Sequence, residues 1–146
     1  MKAVTPFIRK EAAGLLLGKK IGRGMGRAVY ICRLDPRFVV KVESAGNAFQ
    51  NVVEWETWKM VEGESEARWF APCCAISGAG SVLVQRRTSP ASDTEYPKRM
   101  PIFLGDYKRE NFGMLDGRLV CHDYGLLSNI SNGLRSGATR AVDWQR

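Results

Sequence analysis

The sequence has a single histidine, His122, and only four cysteines, Cys32, Cys73, Cys74 and Cys121, with no C-x-x-C spacing among them. So sparse a set of soft ligands argues against a zinc site, and the thiols read as reduced and mostly buried. No apolar run approaches the roughly 18 residues of a membrane-spanning helix. Met1 to Lys10 has neither the apolar core nor the cleavage site of a signal peptide. The expectation is a cytoplasmic protein with no membrane partner. An internal repeat is also lacking, which excludes the solenoid architectures.

What is present is ordinary for a globular chain: 146 residues, 45% hydrophobic and 25% charged. That length suits a single domain over residues 1–146, able to bury roughly 68–70% of the surface its unfolded form exposes. The net charge of +7 is unevenly placed, with ten Lys/Arg against two acids in residues 1–41, so the remainder is close to neutral. One electropositive end suits phosphate-bearing ligands, nucleic acid or an acidic protein partner.

Along the chain, "TPFIRKEAA" opens with a Thr-Pro suited to a short helix. "LLLGKKIGRG" and "RAVYICRL" read as strands around a glycine-rich turn, and "DPR" connects tightly to a third strand, "FVVKVE". From Asn47 to Val61, Phe49, Val53 and Met60 recur at near-helical spacing, with Trp55 and Trp58 adding bulk. "PCCAIS" and "SVLVQRR" flank "GAG" as a second hairpin, residues 88–100 read as a connecting loop, and "RLVCHDYG" as a short strand. The last 21 residues show little periodicity beyond a turn of helix near the end. The sum is an α+β chain with five antiparallel strands and one main helix.

Several residues stand out as chemistry rather than packing. Gly22, Gly24 and Gly26 lie between two strands, where missing side chains let backbone N–H groups approach phosphate oxygens. Lys41 lies mid-strand among apolar residues, so it either points to solvent or is held inward by an acid. Glu54 and Glu56 are the candidate acids; Glu54 shares a helix face with Trp58 and Val61. "GDYKRENFG", residues 105–113, crowds Asp106, Lys108, Arg109, Glu110 and Asn111 between two glycines, and Asp123 follows a short strand in "DYG".

The order of glycine loop, strand lysine, acid-bearing helix, hairpin, D-x-x-x-x-N loop and D-Y-G resembles the protein kinase superfamily over residues 14–125. The resemblance implies a kinase-like N-lobe over residues 14–88, a linker over 89–100 and an abbreviated catalytic segment and tail over 101–146. It also implies ATP and Mg²⁺ as cofactors, since phosphoryl transfer is mainly a matter of position and charge. Gly22, Gly24, Gly26 and Val29 would cover the nucleotide, and Lys41, paired with Glu54 or Glu56, would hold its phosphates. Asp106 would orient the accepting hydroxyl, Lys108 would stabilise the transferring phosphoryl, and Asn111 and Asp123 would hold the metal.

Departures from the pattern bear on function. Arg27 stands where the third loop glycine belongs, and could contact phosphate or close the loop to nucleotide. Leu104 and Gly105 replace the family's His-Arg, and no A-P-E follows the D-Y-G. Two classes of function remain open. One is a compact phosphotransferase acting on protein Ser/Thr, itself included, with Ser128, Ser131, Ser136 and Thr139 as acceptors. The other is a kinase-like module that binds or inhibits a partner protein. A homodimer supplying the missing lobe fits either class. Nucleic acid is not the expected partner, because Trp55, Trp58 and Trp69 read as core rather than stacking platforms. So short a version suits the economy of a compact viral or mobile-element genome.

Overall fold

The computed structural model describes residues 4–24, 26–44, 49–125 and 137–144, with side chains from Lys10 onward. A helix, α1 (Val4–Leu16), runs directly into β1 (Leu17–Gly24). It continues past the expected short helix to Leu16, because strand pairing begins only at Leu17, opposite Cys32. There follow β2 (Arg27–Cys32), β3 (Phe38–Glu43), α2 (Gln50–Val61), β4 (Cys73–Ile76) and β5 (Val82–Arg86). The five strands form one antiparallel sheet in the order β1-β2-β3-β5-β4. The chain is therefore α+β, with a five-stranded antiparallel sheet and two α-helices among the described residues. None of these helices is long and apolar enough to cross a membrane.

Each connection has a local cause. In the β2–β3 turn, Asp35 accepts hydrogen bonds from the backbone N–H and the guanidinium of Arg37, closing a turn that Pro36 pre-bends. In the β4–β5 hairpin, Gly80 takes a positive φ of 77°, a conformation costly for residues with a Cβ.

Helix α2 buries a different face from the one that Phe49, Val53 and Met60 marked. Phe49 and Met60 are exposed, whereas Asn51, Glu54, Trp58 and Val61 point inward. A buried charged partner for Glu54 outweighs the outward loss of two apolar side chains. The helix start at Asn47 lies outside the described residues, and the described helix begins at Gln50. No side chain caps it locally. Instead Glu43, at the end of β3, accepts the backbone N–H of Gln50 at 2.7 Å and of Asn51 at 3.0 Å, two of the N–H groups that a helix start leaves unpaired.

Below the sheet the architecture departs further from expectation. Residues 88–100 are more than a loop: they contain a 3-10 turn at Asp93–Glu95 and the start of β6 (Arg99–Pro101). Strand β6 pairs antiparallel with β9 (Thr139–Ala141), while most of the tail in which a helical turn was expected lies outside the described residues. "RLVC" is half of a hairpin, β7 (Phe112–Leu115) with β8 (Arg118–Cys121). Its Asp116-Gly117 turn has positive φ at both residues, the geometry that Asp-Gly favours in tight hairpins. Trp58, Phe70, Leu83, Met100, Leu104, Phe112 and Tyr124 belong to one continuous core that joins the sheet, α2 and the β7–β8 hairpin. Trp55 and Trp69 are partly buried against it.

Candidate functional site

Strand alternation and one helix face bring the site together. In β3, Lys41 follows the buried Val40 yet is itself only 3% exposed, a burial that an unpaired ammonium would not tolerate. Glu54 on α2, fully buried, meets it: the Lys41 ammonium donates to Glu54 Oε1 at 2.6 Å and Oε2 at 3.2 Å, and also to the backbone carbonyl of His122. Of the two candidate acids, Glu54 is therefore the partner of Lys41. Burial alone would raise the Glu54 pKa, but the charges of Lys41 and Arg27 hold it below the usual carboxylate value.

The second cation at Glu54 is Arg27, the residue in the third-glycine position. Its side chain turns inward from the start of β2 and is 5% exposed. It donates to Asn51 Oδ1 at 3.1 Å, to Glu54, and to Asp123 Oδ1 at 2.7 Å. Burial works against its charge, and the surrounding carboxylates of Glu54, Asp123 and Glu43 more than offset this. Glu54 also accepts the backbone N–H of Tyr124 at 3.3 Å. One carboxylate thus ties together β2, β3, α2 and the D-Y-G segment.

That segment is packed tightly under α2. Tyr124 is fully buried, edge-on to Phe70 at 4.9 Å, and its hydroxyl donates to the Ala71 carbonyl at 2.7 Å. A Cβ on Gly125 would lie 2.7 Å from the Gln50 carbonyl oxygen, so glycine is needed here for close approach to the helix start. His122 bridges Thr88 and the Glu110 carbonyl, each at 2.7 Å. The carbonyl can only accept, so Nε2 carries the proton and Nδ1 accepts from the Thr88 hydroxyl. Burial and the nearby Lys41 charge lower the imidazole pKa.

Arg27, Lys41, His122 and Asp123 line one side of a cavity of about 570 Å³, within the range of about 300–1,000 Å³ typical of small-molecule sites. Of the residues singled out in the sequence, Gly22, Gly24, Val29, Lys41 and Asp123 border it, and Gly26, with a φ of 70°, does not. Asp106 and Lys108 do not border it; both are exposed. Asn111 is buried behind them and its side-chain amide donates to the Asp106 carbonyl at 3.4 Å.

Asn111 and Asp123, the pair expected to hold Mg²⁺, do not fit a divalent ion as they are arranged. Asn111 does not border the cavity, and one Asp123 oxygen is engaged by Arg27. A dication about 5 Å from a guanidinium meets a repulsion of about 2 kcal/mol in water-like surroundings and about 7 kcal/mol at an effective dielectric of 20. Among the described residues, no group of three or more His, Cys, Asp or Glu side chains could hold a metal.

Several cavity residues were missed in the sequence. Arg23, Arg86, Arg87 and Arg109 add a basic rim, and Gln85 forms part of the wall. Gln85 is fully buried and its carbonyl oxygen has no hydrogen-bond partner in the described structure. Its signal was present in "SVLVQRR": it shares the inward face of β5 with Leu83, where an amide is out of place. No protein-family model matches the chain, and no curated protein matches its sequence.

Proposed function

We propose that this protein is a kinase-like nucleotide-binding domain whose cavity takes ATP or a similar nucleoside polyphosphate. The observation that carries this reading is the buried Lys41–Glu54 ion pair, whose lysine borders a cavity edged by Gly22 and Gly24 of β1. A lysine anchored in this way presents fixed positive charge beside backbone that phosphate can approach closely. The basic rim adds attraction for an anion. Phosphoryl transfer to a protein Ser/Thr would fall to Asp106, as the group orienting the hydroxyl, and to Lys108. Ser128, Ser131 and Ser136 lie outside the described residues, while Thr139 is exposed in β9.

A second reading, a non-catalytic module that grips a protein partner, is favoured by a different observation. Asp106 and Lys108 stand outside the cavity, and the Lys41 ammonium already donates to Glu54 and to the His122 carbonyl.

Calorimetric titration of the full chain with ATP, alongside Lys41→Ala and Asp123→Ala variants checked for fold by circular dichroism, tests the nucleotide reading. Binding by the wild type that is weakened by Lys41→Ala supports it, and a loss in Asp123→Ala as well would assign that carboxylate a metal-holding part. A folded wild type that takes up no ATP sinks it. Radiolabelled phosphate appearing on protein after incubation with labelled ATP then selects the phosphotransferase, and its absence despite binding selects the module.

A further inference from the structure

We infer that Arg27 takes the place of the divalent metal, so that the cavity binds a nucleoside polyphosphate without Mg²⁺. This rests on the nucleotide reading above. In a metal-dependent phosphate site the cation is borrowed from solution and is held by carboxylate and amide oxygens left open for it. Here the cation belongs to the chain.

The Arg27 guanidinium donates to three side chains, Asn51, Glu54 and Asp123, and is almost wholly buried. A fork of donors fixed by three acceptors is held by the fold itself, not by a ligand. It lies at the cavity wall beside Asp123, the carboxylate expected to hold the metal. Arg27 therefore neutralises the Asp123 charge that would otherwise attract Mg²⁺.

The charge distribution of the cavity agrees. Of the cations that border it, Arg27 and Lys41 are balanced by Glu54 and Asp123, Arg109 by Asp93 and Arg86 by Asp116, while Arg23 and Arg87 form no ion pair among the described residues. A triphosphate meets Arg23 and Arg87 on the rim, while Asp123 is already balanced by Arg27 before any dication is added. Asn111, the other expected ligand, does not border the cavity.

The test is ATP calorimetry on the full chain in EDTA and in millimolar Mg²⁺. The wild type should bind with dissociation constants agreeing within about threefold in the two buffers. Arg27→Ala should lose at least about tenfold in affinity in EDTA and regain it with Mg²⁺, while Arg27→Lys, which keeps the charge, should bind in EDTA. Wild-type binding that requires Mg²⁺ overturns the inference and leaves the nucleotide reading standing. Equal binding in EDTA by a folded Arg27→Ala protein overturns it too. A wild type that binds ATP in neither buffer removes both. Because the comparison of buffers uses the wild type, an Arg27 variant that fails to fold does not spoil the experiment.

Discussion

Glu54 is the residue on which the most interactions converge. It is fully buried and balances two cations, Arg27 and Lys41, that are themselves nearly inaccessible. Taking charges out of water is costly, and the cost is met only while each has its partner. Glu54→Gln removes the carboxylate that both buried cations share, leaving only Asp123 and the more distant Glu43, and should cost about 3–5 kcal/mol of stability. Lys41→Met should cost distinctly less, since Arg27 still balances Glu54. Urea unfolding of the two variants, compared at equal slope, checks the order; a larger loss for Lys41→Met would show that the lysine, not the glutamate, is the hub. The same burial quietens the thiols. Desolvation pushes the Cys73 pKa up to about 12, and Cys121 is driven higher still by its burial, so neither is a nucleophile at neutral pH.

At the scale of elements, the placement of α2 decides whether the site exists. A short helix with few apolar residues on its buried face has little intrinsic reason to hold its position. Its start is fixed from a distance by the Glu43 carboxylate, which caps two backbone N–H groups and adds negative charge at the positive end of the helix. Glu43→Ala removes both effects. The expected loss is about 1–2 kcal/mol, which for a chain of this size lowers the melting temperature by several degrees, about 2–4 °C per kcal/mol. Thermal unfolding followed by far-ultraviolet circular dichroism measures it. An unchanged melting temperature would mean that α2 is held by its side-chain contacts alone.

At the scale of the whole molecule, a late segment closes the lower part of the structure. Strand β9 pairs with β6, and just beyond it Trp144 stacks edge-on against Phe112 at 4.9 Å and packs on Tyr96 and Tyr107. Its indole N–H donates to the Pro97 carbonyl at 2.7 Å. Tyr96 in turn borders the cavity and lies under the Arg109 guanidinium at 4.7 Å. Trp144 therefore supports one wall of the site from residues distant in sequence. Trp144→Ala should lose about 2 kcal/mol, less than a fully buried tryptophan because the ring is only partly covered. Chemical denaturation measures the loss, and stability within experimental error of the wild type would show that β9 is merely laid against the surface.

The α+β class, the five strands of the sheet and the inward Glu54 were legible in the sequence, because each depends on local signals: glycine turns, strand alternation and a helix face shared with Trp58 and Val61. Of the β7–β8 hairpin only the second strand was read, although Asp116-Gly117 carries a turn signal. The pairing of β6 with β9 was not, since two three-residue strands nearly 40 positions apart carry no pattern that names the partner. Nor was the direction of Arg27. A basic residue at the mouth of a glycine turn has the same local preferences whether it reaches outward to phosphate or inward to carboxylates. Only the fold, by setting Glu54, Asn51 and Asp123 around one buried point, made the inward choice the lower in energy.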